Sequence, residues 1–138
     1  MLLQYYAGQL EDAGVSFHHS IEVPQKMKIT DLDICRIFGN LLENAVRAVK
    51  TDKETEEPYV NCICRVRMGK LLIDIENSYS GEVRRNGDVF YSTSHSGQGI
   101  GTASVSKTAE KYGGYADFEA SEGVFRANVF IPLENSGS

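Results

Sequence analysis

Ile37-Phe38-Gly39-Asn40-Leu41-Leu42-Glu43-Asn44-Ala45-Val46-Arg47 decides the fold. Residues four apart on a helix lie one above the other, so Asn40 and Asn44 share one face while Leu41, Leu42 and Ala45 turn towards a core. The same periodicity runs from Leu32 through Cys35, Phe38, Leu42 and Ala45 to Val49, and Thr30 or Asp31 supplies an N-cap, which predicts a long core helix ending near Lys50. Well downstream, Gly97-Gln98-Gly99-Ile100-Gly101 opens a second helical stretch. Without a Cβ, glycine lets an anion reach the main chain, and the free N–H groups of a helix N-terminus hold it there. Together the two stretches predict a site for a nucleotide.

Outward from them, the chain has the makings of a single domain: 138 residues, 41% hydrophobic and 24% charged, enough to bury a core without staples. A formal net charge of -5, with scattered Lys and Arg, argues against nucleic acid or an anionic membrane as partner, since both need a basic surface. Cys35, Cys62 and Cys64 are an odd number, with two alternating along a predicted strand, which points to reduced thiols in a cytosolic compartment. No third and fourth ligand follows at zinc-like spacing, and His18, His19 and His95 fall in no such pattern, so the Cys-x-Cys reads as structural. No apolar run approaches the ~20 residues that a bilayer helix needs, and the chain reads as soluble.

Residues 1–13 read as the tail of a preceding amphipathic helix, residues 14–133 as the domain, and residues 134–138 as a frayed end. Val15 to Val23 predicts a first strand that Pro24 stops. Tyr59 to Met68 alternates as a half-buried strand does, Gly69-Lys70 turns the chain, and Leu71 to Glu76 returns. From Asn77 to Ser96 the chain is polar, rich in Ser and Gly and without sustained periodicity, the pattern of a lid. A helix from about Gly99 to Tyr112 follows, with Lys107 and Lys111 near its negative end and Gly113-Gly114 closing it. Tyr115 to Ala120 and Val124 to Ile131 form a last hairpin. These elements predict an α/β (α+β) two-layer sandwich: a mixed, mostly antiparallel sheet with helices on one face and a long lid.

Taken in order, Asn40-x-x-x-Asn44-Ala45, the strand ending at Asn77, the lid, Gly97-x-Gly99-x-Gly101 and Lys111-Tyr112-Gly113-Gly114 before the final hairpin resemble the GHKL (Bergerat-fold) ATPase superfamily. The similarity runs from roughly Gly14 to Leu133 and is greatest to the catalytic ATP-binding domain of sensor histidine kinases, particularly the quorum-sensing peptide-receptor kinases. Each motif alone is weak; their order and separation make the signal specific.

The resemblance implies that ATP and Mg²⁺ are the ligands, with Asn44 as the metal ligand and Arg47, one turn on, aimed at the phosphates. Asn40 stands where most of the superfamily has a glutamate base; an amide cannot take a proton, so the domain is expected to hold ATP for transfer rather than hydrolyse it quickly. Glu43 is the nearest carboxylate on the helix and the candidate base, although it points about 100° away from Asn44. Asn77 and Gly81 occupy the place of an Asp-x-Gly-x-Gly motif that reads adenine, with an amide oxygen as acceptor. Gly97, Gly99 and Gly101 correspond to the glycine box over the phosphates, and Phe90 and Tyr91 to lid aromatics that dock on dimerisation helices. A threonine expected before the last strand is replaced by the Gly123-Val124-Phe125-Arg126-Ala127 stretch. The implied activity is that of a histidine protein kinase: phosphoryl transfer to a histidine on a separate dimerisation domain, then on to a response regulator, in a membrane-anchored homodimeric parent. Two alternatives stand beside it: a non-catalytic interaction module of the same fold, and an anti-sigma-type serine kinase, against which Asn40 counts.

Overall fold

Apolar residues two apart in the strands and three to four apart in the helices converge on one interface between a sheet and a helical layer. The computed structural model describes residues 2–24, 28–51, 54–79, 83–86, 89–92 and 98–133. In chain order the elements are α1 (Leu2–Asp12), β1 (Ser16–Ile21), α2 (Asp31–Thr51), β2 (Tyr59–Arg67), β3 (Lys70–Ser78), β4 (Val83–Asn86), β5 (Val89–Ser92), α3 (Gln98–Lys111), β6 (Tyr115–Ser121) and β7 (Val124–Pro132). Five strands form one sheet in the order β1-β2-β3-β7-β6, and β4 and β5 make a separate two-stranded ribbon. β1 runs parallel to β2 while the other pairs are antiparallel, which gives the expected mixed sheet. Parallel neighbours need a crossover, and α2 provides it.

Alternation sorts the strand residues cleanly. Cys62, Cys64, Leu71, Ile73, Val129 and Ile131 are buried under the helices, against Leu10, Ile37, Leu42 and Val105 from the helical layer. Each fully buried Leu or Ile contributes roughly 1.5–3 kcal/mol. Leu10 and Tyr6 bring α1 into this core. On the other face of the sheet, Arg126 of β7 donates to Glu76 of β3 at 2.6 and 3.2 Å, and Tyr59 of β2 donates to the same carboxylate at 2.9 Å. Burial alone would raise the Glu76 pKa, but these charged and neutral donors outweigh it and lower it.

Local chemistry sets the element ends. Thr30 Oγ1 accepts from the Asp33 amide at 3.1 Å, so the predicted cap on α2 is Thr30. Gly113, at φ 83°, closes α3 in a Schellman arrangement: Gly114 N–H donates to Ala109 O at 2.9 Å and Gly113 N–H to Glu110 O at 3.0 Å. Gly14 ends α1 in the same way, at φ 76°.

Three details differ from the sequence reading. The β2–β3 turn is centred on Met68-Gly69 rather than Gly69-Lys70, because Arg67 pairs with Lys70 and both intervening residues take positive φ, 53° and 75°. That conformation matches the twist of a two-residue hairpin. Strand β3 continues to Ser78, held by β7 at Asn77 and Ser78. Within the stretch read as an aperiodic lid, β4 and β5 pair through four residues each, and β5 lies against α3.

Candidate nucleotide site

Residues Asp33, Ile37, Asn40 and Asn44 recur at three and four positions, a single stripe along α2. The structure lays this stripe against α3, and the two helices run in opposite directions. Asp33 meets Lys111 and Tyr112 at the far end of α3; Asn40, seven residues on, meets Ser104, seven residues back from Lys111, at 3.4 Å. Continued by one turn, the same register points Asn44 towards the first turn of α3. Antiparallel packing thus directs the Asn44 end of α2 and the start of α3, which bears Gly99 and Gly101, towards the same end of the helical layer, although more than fifty residues separate them in sequence.

The clamp at the other end holds this register. Asp33 is 2% exposed, and its carboxylate accepts from Arg36 at 2.8 Å, from Lys111 at 2.9 Å and from the Tyr112 hydroxyl. Tyr112 Oη in turn accepts from the Thr30 amide at 3.3 Å. The hydrogen bonds from Tyr112 and Lys111 hold the Asp33 pKa below its ordinary value, and the Asp33 bond raises that of Lys111. Neither Asp33 nor Tyr112 was singled out from sequence as a site residue. The available signal was an acidic residue seven positions before Asn40 on the same stripe.

Along the stripe, Asn40 donates through Nδ2 to Arg36 O at 2.9 Å as well as to Ser104, so its Oδ1 is used in neither bond. Asn44 is half-buried, and its side chain makes no hydrogen bond among the described residues. Asn77 closes β3 on the helix-facing side of the sheet, in alternation with Ile73 and Ile75, and is 2% exposed. Its Nδ2 donates to Ser78 O at 2.9 Å, a bond that does not use the amide oxygen. Gly99 and Gly101 sit in the first turn of α3. Gly81, Gly97 and the segment Ser94–Ser96 with His95 lie outside the described residues.

Glu43 and Arg47 turn out to be joined. Arg47 donates to Glu43 Oε2 at 3.1 Å, and Tyr6 of α1 donates to Oε1 at 3.1 Å. Both oxygens of Glu43 are therefore engaged on the α1 side of α2, and the carboxylate forms a clasp between those helices instead of facing Asn44. Arg126, in the stretch that replaces the expected threonine, belongs to the open face of the sheet with Glu76.

Two hollows occur elsewhere. One of about 320 Å³ lies beside the β6–β7 turn, lined by Glu119, Glu122 and Arg126, and one of about 430 Å³ lies between α1 and β1. Neither is lined by a predicted site residue. Among the described residues no cluster of three His, Cys, Asp or Glu side chains could hold a metal on its own. The donor set fits Mg²⁺ that arrives with phosphate oxygens: a hard cation that keeps most of its waters needs only one amide oxygen from the protein. Cys62 and Cys64 are pushed up to about 12 and about 11, in each case chiefly by burial, and are neutral core thiols.

A two-layer sandwich with this mixed five-stranded sheet is the architecture of GHKL domains. The GHKL domain family profile matches residues 27–132, and the chain belongs to that family. Its fold is shared with histidine kinase catalytic domains. The catalytic domain of histidine kinase ThkA superposes with a TM-score of 0.73 at 17% identity, covering 96% of this chain and 88% of that one. Histidine kinase AdeS of Acinetobacter baumannii gives 0.70 at 14% identity, over 97% of this chain and 62% of its own length. The histidine kinase domain of the blue-light activated kinase from Erythrobacter litoralis EL346 gives 0.70 at 14%, over 96% and 59%. This chain thus spans less than two thirds of two of these structures. No curated protein sequence matches it. Among the described residues no helix is long and apolar enough to cross a membrane.

Proposed function

We propose that this chain is the ATP-Mg²⁺-binding catalytic domain of a two-component sensor histidine kinase, of the branch that serves quorum-sensing peptide receptors. The observation that supports this reading is the antiparallel packing of α2 on α3, in which Asp33 meets Lys111 and Asn40 meets Ser104; continued along the stripe, it would bring Asn44 towards the glycine-led start of α3. Asn44 Oδ1 would hold the metal, whose contribution is to neutralise charge on the phosphates. Gly97, Gly99 and Gly101 would admit the phosphates to the main chain at the positive end of α3. Arg47 would offer its guanidinium donors to the same oxygens. Asn77, with its Nδ2 already committed to Ser78 O, would present Oδ1 to the adenine amino group, and Gly81 would follow it in the base pocket.

Asn40 has no carboxylate with which to take a proton, so it orients rather than activates. Glu43 is engaged by Tyr6 and Arg47 and is not assigned as the base. The domain would therefore retain ATP and deliver its γ-phosphoryl group to a histidine on a dimerisation domain, from which a response regulator receives it. Residues 14–133 would be the nucleotide-binding unit, entered through residues 1–13, and the parent a membrane-anchored homodimer whose catalytic part faces the cytoplasm.

Calorimetric titration with a non-hydrolysable ATP analogue, with and without Mg²⁺, tests this directly. Wild type should bind in a Mg²⁺-dependent manner, and Asn44→Ala should lose about 10-fold or more in affinity together with that dependence. Equal affinity in the two proteins would remove Asn44 from the metal; no uptake by either would return the chain to the class of non-catalytic modules.

A further inference from the structure

β1 is one margin of the five-stranded sheet, and its main chain faces two ways. Ser16 and Glu22 donate their N–H groups to Pro58 O and Cys64 O, so residues of that parity bond to β2. Peptide groups alternate sides along a strand, and Phe17, His19 and Ile21 therefore direct N–H and C=O groups away from the sheet. Among the described residues none of these groups has a partner. Folded proteins usually blunt such a row with charge or proline. The other margin, β6, carries Asp117 and Glu119, whereas β1 reads Ser-Phe-His-His-Ser-Ile, with no proline and no Asp, Glu, Lys or Arg. In a chain of net charge -5 it is the margin that a like molecule can approach without meeting fixed charge of its own sign on the strand.

The side chains of the same three residues lie on the helix-facing side of the sheet, because they pair with Val60, Cys62 and Cys64, which are buried there. The helical layer covers them incompletely: Ile21 is 39% exposed and Val23, two residues on, 42%. Towards the start of the strand, the hollow of about 430 Å³ between α1 and β1 is lined by Ala7, Glu11, Val15, Phe17 and His19. The edge thus has an apolar projection at one end and a largely apolar recess at the other. A two-fold axis through His19 makes the two complementary. Antiparallel pairing about it sets Phe17 opposite Ile21 of the second copy, Val15 opposite Val23 of the second copy, and His19 opposite its own equivalent. A slip of two residues either way puts an apolar side chain against His19 instead. Phe17, His19 and Ile21 are the positions with outward main-chain groups, so each of their pairs can exchange two hydrogen bonds, about six in all. We propose that β1 is a self-association edge: two copies of this chain join β1 to β1 antiparallel about His19, so that one sheet runs through both and Ile21 and Val23 of each copy sit in the hollow beside α1 of the other. The interface uses none of the residues assigned to the nucleotide and does not depend on that reading.

The test uses the full chain carrying Cys35→Ser, which removes the exposed thiol. Sedimentation velocity from about 1 µM to about 1 mM should show this chain passing from monomer to twice that mass. Ile21→Lys, at an exposed position, should keep the fold by circular dichroism and weaken association at least about 10-fold. Cysteine placement reads the register independently of that variant. Residues directly opposite in a hydrogen-bonded antiparallel pair have Cα atoms about 5.5 Å apart, within disulfide reach, so His19→Cys should give a covalent dimer under mild oxidation. Phe17→Cys, displaced from its equivalent by four positions or about 13 Å, should not. A monomer at every concentration overturns the proposal and leaves the edge, if it is filled at all, to a strand of another protein. A dimer that Ile21→Lys leaves intact overturns it too, as does a Phe17→Cys chain that crosslinks as fast as His19→Cys.

Discussion

Replacing Gly114 by alanine should be among the most damaging single changes in the molecule, and the reason is purely spatial. A Cβ built at that position falls 1.9 Å from the carbonyl oxygen of Phe130 and 2.9 Å from both the Phe130 carbonyl carbon and the Ile131 Cα, all main-chain atoms of β7. Relief needs a backbone shift of more than 1 Å at a place where β6 is paired with β7 and β7 with β3. Overpacking that a side chain can absorb costs roughly 1–3 kcal/mol, and a clash against fixed backbone belongs at or above the top of that range. Gly114 also donates to Ala109 O in closing α3, so the shift would pull on Lys111 and Tyr112 where they hold Asp33. The control is Gly39→Ala, in the middle of α2, where nothing lies within 4 Å of the added methyl. There the exchange removes only the helical penalty of glycine and should stabilise by about 0.5–1 kcal/mol. Urea unfolding followed by circular dichroism compares the two: Gly114→Ala should lose at least about 3 kcal/mol, or fail to fold, while Gly39→Ala gains. A Gly114→Ala protein within about 1 kcal/mol of wild type would show that the close approach to β7 does not exist and would falsify the packing described for α3 and the sheet.

Two other outcomes follow from the buried polar and thiol groups. Because the folded pKa of Asp33 is depressed, its contribution to stability is fully present above the unfolded value of 3.8 and is lost as pH falls through the lower folded one. The stability difference between wild type and Asp33→Asn should therefore be flat near neutrality and shrink only in acid; a gap that grows on acidification would contradict the clamp. In thiol labelling, Cys35, which is exposed, should react fast in the native protein, while Cys62 and Cys64 stay protected until the chain unfolds. Three fast thiols would place β2 outside the core.

The sequence made α2 and the two antiparallel hairpins legible because their signals are local: a helical repeat, strict alternation and glycine turns. It misplaced the β2–β3 turn by one residue because Met68 takes a positive φ that turn rules reserve for Gly, Asn or Asp. The ribbon of β4 and β5 was missed because strands of four residues carry too few positions for alternation to stand out. The parallel pairing of β1 with β2, and the order of the five strands, come from contacts distant in sequence that no window of residues contains. At the site, the asparagine stripe and the glycine-led helix were readable. Their meeting through Asp33, Lys111 and Tyr112 was not, since Lys111 read simply as a cation at the end of a helix. Likewise, the wheel geometry turned Glu43 away from Asn44 but could not show that Tyr6 was waiting for it.

The crossover from β1 to β2 has a consequence for how the molecule opens. α2 is threaded between two strands that are hydrogen-bonded to each other, so both of its ends are tied to the same margin of the sheet. The helix that bears the asparagines should then share the protection of the strands against solvent exchange, surrendering its amides only in near-global unfolding events. α3, by contrast, joins the β4–β5 ribbon to β6 of the main sheet and is not enclosed by two strands that pair with each other. Whatever breathing accompanies capture and release would be one-sided, with α2 as the fixed jaw.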